Sequence, residues 1–586
     1  MELPVSVWLF FSLMNVNSGF LIPDRLHKVT TTKYGDIIGF IDQIRFDGRT
    51  HQIRKYLGIP YAEPPLGNLR FEKPVMKKKL SVPFQAQKYA LVCPQTRLKI
   101  ETMSEDCLYL NVFVPETPSI NSGPKPVMVF IHGGGFVGGY SNVQAGDVIS
   151  AVGDVIIVTM NYRLGVLGFL STHDSTIKGN YGLWDQHLAI RWVNDNIADF
   201  GGDINNITIF GESAGSSSVI YQTLYPGNKH LFKRAIAESG SVAAWAVSHG
   251  NTNHDSSVEF AQSLGCNDLA NILLCLQSKS QTDVINATLE MESRIFNEVN
   301  RSWVPVFDDE FVLAKTPAIL SELSNPKTQS KYSIFRDIDL MIGVNNYDGV
   351  VYQTLLSFYL NVTSDPLKLS QQQFNDIVVP RAVEAWLGEM PTQDALDLTI
   401  YEYTTWDDLL NVKRRIKNVV DIVTDYALNA PTISTARSHI NDNSSTYVYQ
   451  FSASPPKRLL PVLPFMDGKN VASHADELPY VFGFTENLRS YWNMPESMIE
   501  PNDYKLSREM ITMWTNFAKS GNPNSPVPLN GSSWPAYDNS GEMYLEIKSD
   551  QSYIQQRLRA EQVVFWNSLL PDIQSLSKKQ TLDCMP

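Results

Sequence analysis

Strand-like and helix-like patterns of apolar residues alternate along the chain. Pro126–His132 and Val155–Tyr162 are apolar runs bounded by turns, which is typical of strands buried on both faces of a sheet. Trp184–Ile197 has helical spacing and precedes a turn that contains two glycines. Four further segments predict strands: Ile204–Phe210, Phe232–Ala237, Asp339–Val344 and Ser445–Phe451. This alternation predicts an α/β fold with a central, mostly parallel sheet and helices on both faces.

Two long segments between the predicted strands have helical or irregular patterns. They cover roughly Ser256–Asn300 and Tyr352–His439, and insertions of this kind commonly roof the sheet edge where ligands bind. The length of 586 residues alone would suggest about four domains. Because no linker, internal repeat or low-complexity run divides the sequence, we expect a single large domain over residues 19–586.

The pentapeptide Gly211–Gly215 has the pattern G-x-S-x-G between a predicted strand and a predicted helix. The helix covers Ser216–Leu224 and ends at a Tyr-Pro-Gly stop. This order is typical of a nucleophile elbow, where small flanking residues allow a sharp turn, although an ordinary Gly/Ser turn is the alternative. We favour the elbow, which presents the Ser213 hydroxyl at a helix N-terminus, where negative charge is stabilised.

An activated serine needs a base and an acid that orients the base, and elbow proteins carry them in the order serine, acid, histidine. This order makes His439 and His474 the candidates for the base. His439 lies late in a predicted helix, whereas His474 lies in a loop, so we select His474. Asp348 follows the strand predicted to end at Val344 and is a candidate for the acid, and a satisfied aspartate in an ordinary Asp-Gly turn is the alternative.

Three consecutive glycines, Gly133 to Gly135, follow the predicted strand Pro126–His132. Their N–H groups are free of side-chain obstruction, so they can bind an oxyanion together with the N–H group of Ala214, the residue after the serine. A flexible surface turn is the alternative. The buried strand before the glycines and the elbow after them favour an oxyanion hole, which requires no metal and no organic cofactor.

Charge and the N-terminus limit the function further. The net charge of −13 argues against a nucleic-acid-binding surface. Leu3–Val16 is mostly apolar and is followed by Ser18 and Gly19, which predicts a signal peptide at residues 1–18 and a secreted protein. Glu2 is unusual at the start of a signal peptide, and a buried N-terminal strand is the alternative. No later run reaches about 18 apolar residues, so we expect no membrane span.

The five cysteines are consistent with an oxidising compartment. Two short loops are natural pairings, Cys93–Cys107 and Cys266–Cys275, and each disulfide would stabilise the fold by about 2–3 kcal/mol. Cys584 is left over near the C-terminus, where it forms either an intermolecular disulfide or a capped free thiol.

Six asparagines begin glycosylation sequons, as expected in a secreted protein. They are Asn206, Asn286, Asn300, Asn361, Asn443 and Asn530. Asn206 falls in a predicted strand, so its glycosylation is doubtful.

The chain resembles type-B carboxylesterases, the cholinesterase-like α/β-hydrolases. Phe210–Gly215 is similar to the serine signature of that family, and Glu105–Val112 is similar to its second signature. Similar stretches extend from Gly58–Ala62 to Phe565–Trp566 and include Asn161–Gly165, Phe200–Asp203 and Trp514–Ala518. The resemblance therefore covers nearly the whole mature chain.

The resemblance implies an α/β-hydrolase fold with large helical insertions over the active site. It implies Ser213 as the nucleophile, His474 as the base and Asp348 as the acid, where the family usually has glutamate. It also implies Gly134, Gly135 and Ala214 as oxyanion donors, and both short disulfides.

The substrate pocket departs from that of cholinesterases. Cholinesterases carry a tryptophan between the first cysteine pair, which stacks on choline, whereas Pro94–Asp106 contains no aromatic residue. We therefore expect no activity on choline esters. Trp245 and Trp303 fall at or near acyl-pocket positions of the family, where they either favour a short acyl group or are core aromatics.

These residues together predict a secreted serine carboxylesterase that acts on neutral small-molecule esters through an acyl-enzyme. The resemblance also leaves two alternatives open. One is a catalytically silent adhesion or binding protein, since the family includes such members, and the other is a lipase or hormone esterase with the same fold.

The leftover cysteine makes a testable prediction about assembly. If Cys584 pairs between two copies, the purified chain will migrate as a dimer on a non-reducing gel and as a monomer after reduction. Cys584→Ser is expected to migrate as a monomer under both conditions. A wild-type chain that is monomeric without reductant would contradict the disulfide-linked homodimer.

Overall fold

A computed structural model describes most of the chain. It covers residues 27–95, 100–116, 123–242, 246, 252–295, 303–314, 318–325, 327–351, 368–460, 462–529 and 533–583. The predicted signal peptide and Cys584 lie outside the described residues. Among the described residues, no helix is long and apolar enough to cross a membrane.

The described residues form one mixed sheet of 13 strands. The strands are β1 (His27–Thr32), β2 (Gly35–Phe46), β3 (Arg49–Pro60), β4 (Phe84–Gln85), β5 (Tyr109–Pro115), β6 (Lys125–Ile131), β7 (Ile156–Met160), β8 (Gly202–Glu212), β9 (Arg234–Glu238), β10 (Asp339–Asn345), β11 (Thr446–Phe451), β12 (Met543–Ile547) and β13 (Tyr553–Gln556). Their spatial order is β1-β2-β3-β5-β7-β6-β8-β9-β10-β11-β12-β13, with β4 beside β2.

The centre of the sheet is parallel, and its margins are antiparallel except for the short strand β4, which pairs with β2 in parallel. Neighbouring strands from β7 through β12 pair in parallel, whereas β1, β2, β3 and β5 pair antiparallel, as does β13 with β12. The predicted α/β-hydrolase fold is confirmed. The six predicted strands correspond to β6 to β11, and the antiparallel strands on either side of them had not been predicted.

Helices cover both faces of the sheet. Within β6, Val127 and Val129 belong to one buried cluster, whereas Met128 and Phe130 belong to another. Successive side chains of a strand point to opposite faces, so these clusters lie on the two sides of the sheet. This explains why the central strands are continuous apolar runs instead of alternating patterns.

The helices have the following bounds: Asp147–Gly153, Gly165–Phe169, Tyr181–Asn196, Ala214–Leu224, Thr252–Ser263, Ile272–Ser278, Gln281–Ile295, Ala318–Ser324, Ser333–Asp337, Gln371–Gln373, Val379–Leu387, Gln393–Tyr403, Val412–Val423, Ala430–His439, Leu478–Phe482, Glu486–Tyr491, Pro501–Ser520, Ala560–Val564 and Leu570–Asp583. Those between residues 252 and 295 and between 371 and 439 account for the two predicted helical insertions, as far as the structure describes them.

Both predicted disulfides are confirmed. Cys93 and Cys107 are bonded with their Cα atoms 5.0 Å apart, and Cys266 and Cys275 with theirs 5.7 Å apart. Each closes a short loop, which limits the freedom of the unfolded chain.

A buried ion pair joins the segment after β7 to the helix Tyr181–Asn196. Arg163 donates from Nε and Nη2 to the two carboxylate oxygens of Asp185, each at 2.8 Å, and its backbone N–H donates to Oδ2 at 3.0 Å. The two side chains are 4% and 0% exposed. Because a buried charge is costly without its partner, both residues are needed together.

Removal of one partner of this pair tests its role in stability. We expect Asp185→Asn to lower the free energy of unfolding by about 3–5 kcal/mol, because it leaves the Arg163 guanidinium buried without an opposite charge. Asp421→Asn is the matched control, since Lys417 and Asp421 form a partly exposed pair, and we expect it to cost less than about 1 kcal/mol. Denaturant unfolding of both variants measures the difference. Equal losses in the two variants would contradict this account.

Candidate functional site

Ser213 lies at a sharp turn between β8 and the helix Ala214–Leu224. Its φ and ψ angles are 59° and −123°, a strained conformation for a residue with a side chain. The turn also brings helix and sheet very close, since a Cβ atom at residue 215 would lie 1.9 Å from the carbonyl oxygen of Ile131. Glycine is therefore required at position 215, and the predicted elbow geometry is present.

The predicted acid and base lie in contact with each other. Asp348 follows the end of β10, and its Oδ1 lies 2.8 Å from His474 Nδ1. Its other oxygen, Oδ2, accepts hydrogen bonds from Ser239 Oγ at 2.9 Å and from the backbone N–H of Asn345 at 2.7 Å. The carboxylate is fully buried and held from both sides. His439, the other candidate, is buried elsewhere, against Thr446 Oγ1 and the carbonyl of Ile338.

The second nitrogen of His474 faces a different acid. His474 Nε2 lies 3.1 Å from Glu212 Oε1, at ion-pair distance. Within the described structure, His474 makes no hydrogen bond to the hydroxyl of Ser213. The structure therefore brings Asp348 and His474 together. A catalytic base would turn Nε2 towards the serine hydroxyl, but here Nε2 lies beside the carboxylate of Glu212.

The surroundings of His474 favour its charged form. Burial alone lowers the pKa of His474, but the charge of Glu212 and the hydrogen bond with Asp348 outweigh burial and raise this pKa to about 9. Burial raises the pKa of Glu212 to about 7, even though the charge of His474 acts in the opposite direction. The facing charges therefore favour the protonated imidazole over the neutral ring.

The glycine loop lies directly over the serine. A Cβ atom at Gly133 would lie 2.9 Å from Ser213 Cβ, and Gly134 and Gly135 have φ angles of +109° and +63°. Tyr162 stabilises the start of the loop. Its hydroxyl donates to the carbonyl oxygen of His132 at 2.8 Å, and its ring stacks on the imidazole of His132. The glycine loop thus lies next to Ser213, the position that the sequence predicts for it. The roles of Gly134, Gly135 and Ala214 as oxyanion donors stay predictions.

The two predicted pocket residues have different outcomes. Trp245 lies outside the described residues. Trp303 is fully buried, and its indole N–H has no hydrogen-bond partner in the described structure. Its role in a substrate pocket stays a prediction.

The described sequons differ in accessibility. Asn286 and Asn443 are exposed. Asn206 is half-buried and occupied, since its amide donates to the carbonyl oxygen of Lys519 at 3.3 Å and its Oδ1 accepts from Arg234. These contacts argue against a glycan at Asn206. Asn300, Asn361 and Asn530 lie outside the described residues, and use of any sequon stays a prediction.

Glu212, Ser239 and Asn345 are the contacts of this site that sequence reasoning missed. Glu212 lies within the family's serine signature Phe210–Gly215, but the signature does not show that its carboxylate faces His474. Ser239 and Asn345 lie at or just after the ends of β9 and β10, and polar residues at the carboxyl ends of parallel strands are a usable signal. Three or more His, Cys, Asp or Glu residues arranged to hold a metal ion do not occur in the part of the chain that the structure describes.

The fold and this site define the class of the protein. The model of the carboxylesterase family matches residues 27–566, so the chain belongs to that family. Among named proteins, it is 34% identical to neuroligin-3 of Mus musculus over 89% of this chain and 66% of the relative. It is 32% identical to neuroligin-2 of Homo sapiens over 94% of this chain and 68% of the relative. The chain thus spans about two thirds of the length of these curated relatives.

These relatives overturn the main functional prediction. Neuroligins are the adhesion proteins of the family and not esterases. The prediction of a secreted serine carboxylesterase acting on neutral esters is therefore wrong, and the comparison favours the alternative of an adhesion or binding protein. The sequence motifs report the fold and the elbow of the family, and by themselves they do not establish hydrolysis.

The contact between His474 and Glu212 makes a prediction about titration. We expect Glu212→Gln to lower the His474 pKa by about 1–3 pH units, because it removes an opposite charge near the ring. Titration of histidine NMR signals, with His474→Gln to assign the resonance, measures this pKa. The matched control is Glu561→Gln at an exposed position, which is expected to leave it unchanged. A wild-type pKa near 6.5, or one unaffected by Glu212→Gln, would contradict the geometry.

Proposed function

We propose that this chain is an extracellular adhesion or binding protein that uses the carboxylesterase fold as a scaffold. The similarity to neuroligins is the observation that carries the proposal, because it extends over 89% to 94% of the chain. A match of that extent covers the sheet, the insertions and the loops around the elbow. It favours a common use of the fold over a shared motif alone.

The electrostatics of the site support the same proposal. A general base must be largely unprotonated near neutral pH and must reach the proton that it removes. Burial lowers the His474 pKa, but Glu212 and Asp348 raise it to about 9, and Nε2 lies against Glu212 Oε1. An imidazolium in that position does not take a proton from Ser213. Ser213 and the glycine loop then act as structural parts of a closely packed sheet edge.

The disulfides support an extracellular location. Cys93–Cys107 and Cys266–Cys275 form in oxidising compartments. The signal peptide predicted at residues 1–18 and the exposed sequon residues Asn286 and Asn443 agree with this location. A protein partner on another cell surface, in place of a small-molecule ester, is the ligand that fits this proposal.

The first test of the proposal is hydrolysis. We expect the purified wild-type chain to hydrolyse neutral p-nitrophenyl esters at pH 7 no faster than Ser213→Ala does, because His474 is held protonated. The measurement is steady-state release of nitrophenol across a series of acyl chain lengths. Turnover by the wild type that disappears in Ser213→Ala would contradict the adhesion proposal and show that the site is active.

The second test is binding to cells. Beads coated with the chain are expected to bind cells of the same organism, and binding is expected to be lost after protease treatment of the cell surface. Ser213→Ala is expected to bind as well as the wild type, because the serine lies in a buried elbow. Beads coated with an unrelated glycoprotein are the control. Absence of binding, or binding that survives the protease, would contradict a protein partner.

A further inference from the structure

Three buried glutamates lie near one another behind the elbow. Glu212 and Glu238 are directly paired residues on the neighbouring parallel strands β8 and β9, and Glu477 lies in the segment that follows His474. Their exposed fractions are 5%, 0% and 0%. The charge of Glu212 raises the pKa of Glu238 and of Glu477, and the charge of Glu238 also raises the pKa of Glu477. The three residues are called here the glutamate cluster.

The cluster has too few hydrogen-bond partners for three ionised carboxylates. Trp514 Nε1 donates to Glu238 Oε1 at 3.1 Å, and Asn345 Nδ2 donates to Glu477 Oε2. One oxygen of each glutamate has no aligned hydrogen-bond partner among the described residues: Glu212 Oε1, Glu238 Oε2 and Glu477 Oε1. A buried carboxylate without partners is costly, whereas a protonated carboxyl is not charged and can donate to a neighbour.

Compensating positive charge is also scarce. Among the described basic residues, His474 lowers the pKa of Glu212 by its charge, and no basic residue has such an effect on Glu238. His474 is already shared with Asp348. Arg458 is paired with Asp476, with Nε 3.2 Å from Oδ2. The buried hydroxyl of Tyr449 adds a neutral neighbour that faces the same carboxylates.

We propose that Glu238 and Glu477 carry protons at neutral pH while Glu212 keeps the negative charge that faces His474, and that the glutamate cluster thereby forms a pH-dependent lock between the ends of β8, β9 and β10 and the segment that carries His474. A proton between two paired carboxyls turns a repulsive contact into a hydrogen bond. The lock goes beyond the proposed adhesion function and does not depend on it.

The direction of the pH dependence follows from the titration of the cluster. Burial raises the pKa of Glu238 to about 8 and that of Glu212 to about 7, and it raises the pKa of Glu477 as well. These values lie above the ordinary glutamate pKa of the unfolded chain, so the folded state binds more protons. The stability that the protons provide is fully present below the unfolded pKa of about 4.3. It is lost as pH rises through the folded values.

His474 changes stability in the same direction, because its folded pKa also lies above its ordinary value. A variant at Glu238 separates the two effects, since Glu238 is not in the Asp348–His474 contact. Glu238→Gln keeps the shape and the acceptor for Trp514 but removes the ionisable group.

The experiment measures urea unfolding of the intact, disulfide-bonded chain at pH 6, 7.5 and 9, together with the protons released on unfolding at pH 6. We expect the wild-type midpoint to fall as pH rises. We expect Glu238→Gln to show a smaller fall, to unfold at higher urea than the wild type at pH 9, and to release about one proton fewer. Glu561→Gln at an exposed position is the matched control and is expected to behave as the wild type.

Two results would overturn the lock. One is a wild-type midpoint that is constant between pH 6 and 9, and the other is a Glu238→Gln variant with the same pH dependence and proton release as the wild type. If Glu238→Gln does not fold, Glu477→Gln takes its place in the same comparison. Proton release by the wild type needs no variant, and its absence would equally overturn the proposal.

Discussion

The parallel pairing of β8 with β6 and β9 is the constraint on which the rest of the site depends. It places the carbonyl of Ile131 so close to the elbow that only glycine fits at position 215. The same pairing sets Glu212 beside Glu238 and lets the backbone N–H of Ser213 donate to the carbonyl of Glu238 at 2.8 Å. The strained serine and the buried carboxyls are therefore consequences of one strand register.

The same register places buried acidic residues around a site with the layout of a hydrolase. Ser213, Asp348 and His474 lie at one edge of the sheet. Buried acidic residues, among them Glu212, surround the histidine. Burial lowers the His474 pKa, and the facing charges of Glu212 and Asp348 more than reverse this effect. Fold and motif depend on packing, whereas proton transfer depends on the charges around one ring.

Much of this architecture could be predicted from the sequence. The strands β6 to β11 are mostly apolar, so their burial on two faces can be predicted, and the elbow, His474 and both disulfides follow from spacing and order. Asp348 follows from the resemblance to the family. The strand β1 was missed because His27–Thr32 is largely exposed and polar, whereas β5 is a buried, mostly apolar segment that a closer search for strands could have found. Two contacts of the site could not be predicted for a different reason: the contact of Glu212 with His474 and the pairing of Glu212 with Glu238 are tertiary, and no local pattern reports them.

Covalent labelling tests most directly whether Ser213 is an activated nucleophile. The purified chain would be incubated with an organophosphate at pH 7 and its intact mass recorded beside that of Ser213→Ala. This account predicts no adduct on either chain, because a protonated His474 held by Glu212 does not deprotonate the serine. A single adduct on the wild type that is absent from Ser213→Ala would contradict it.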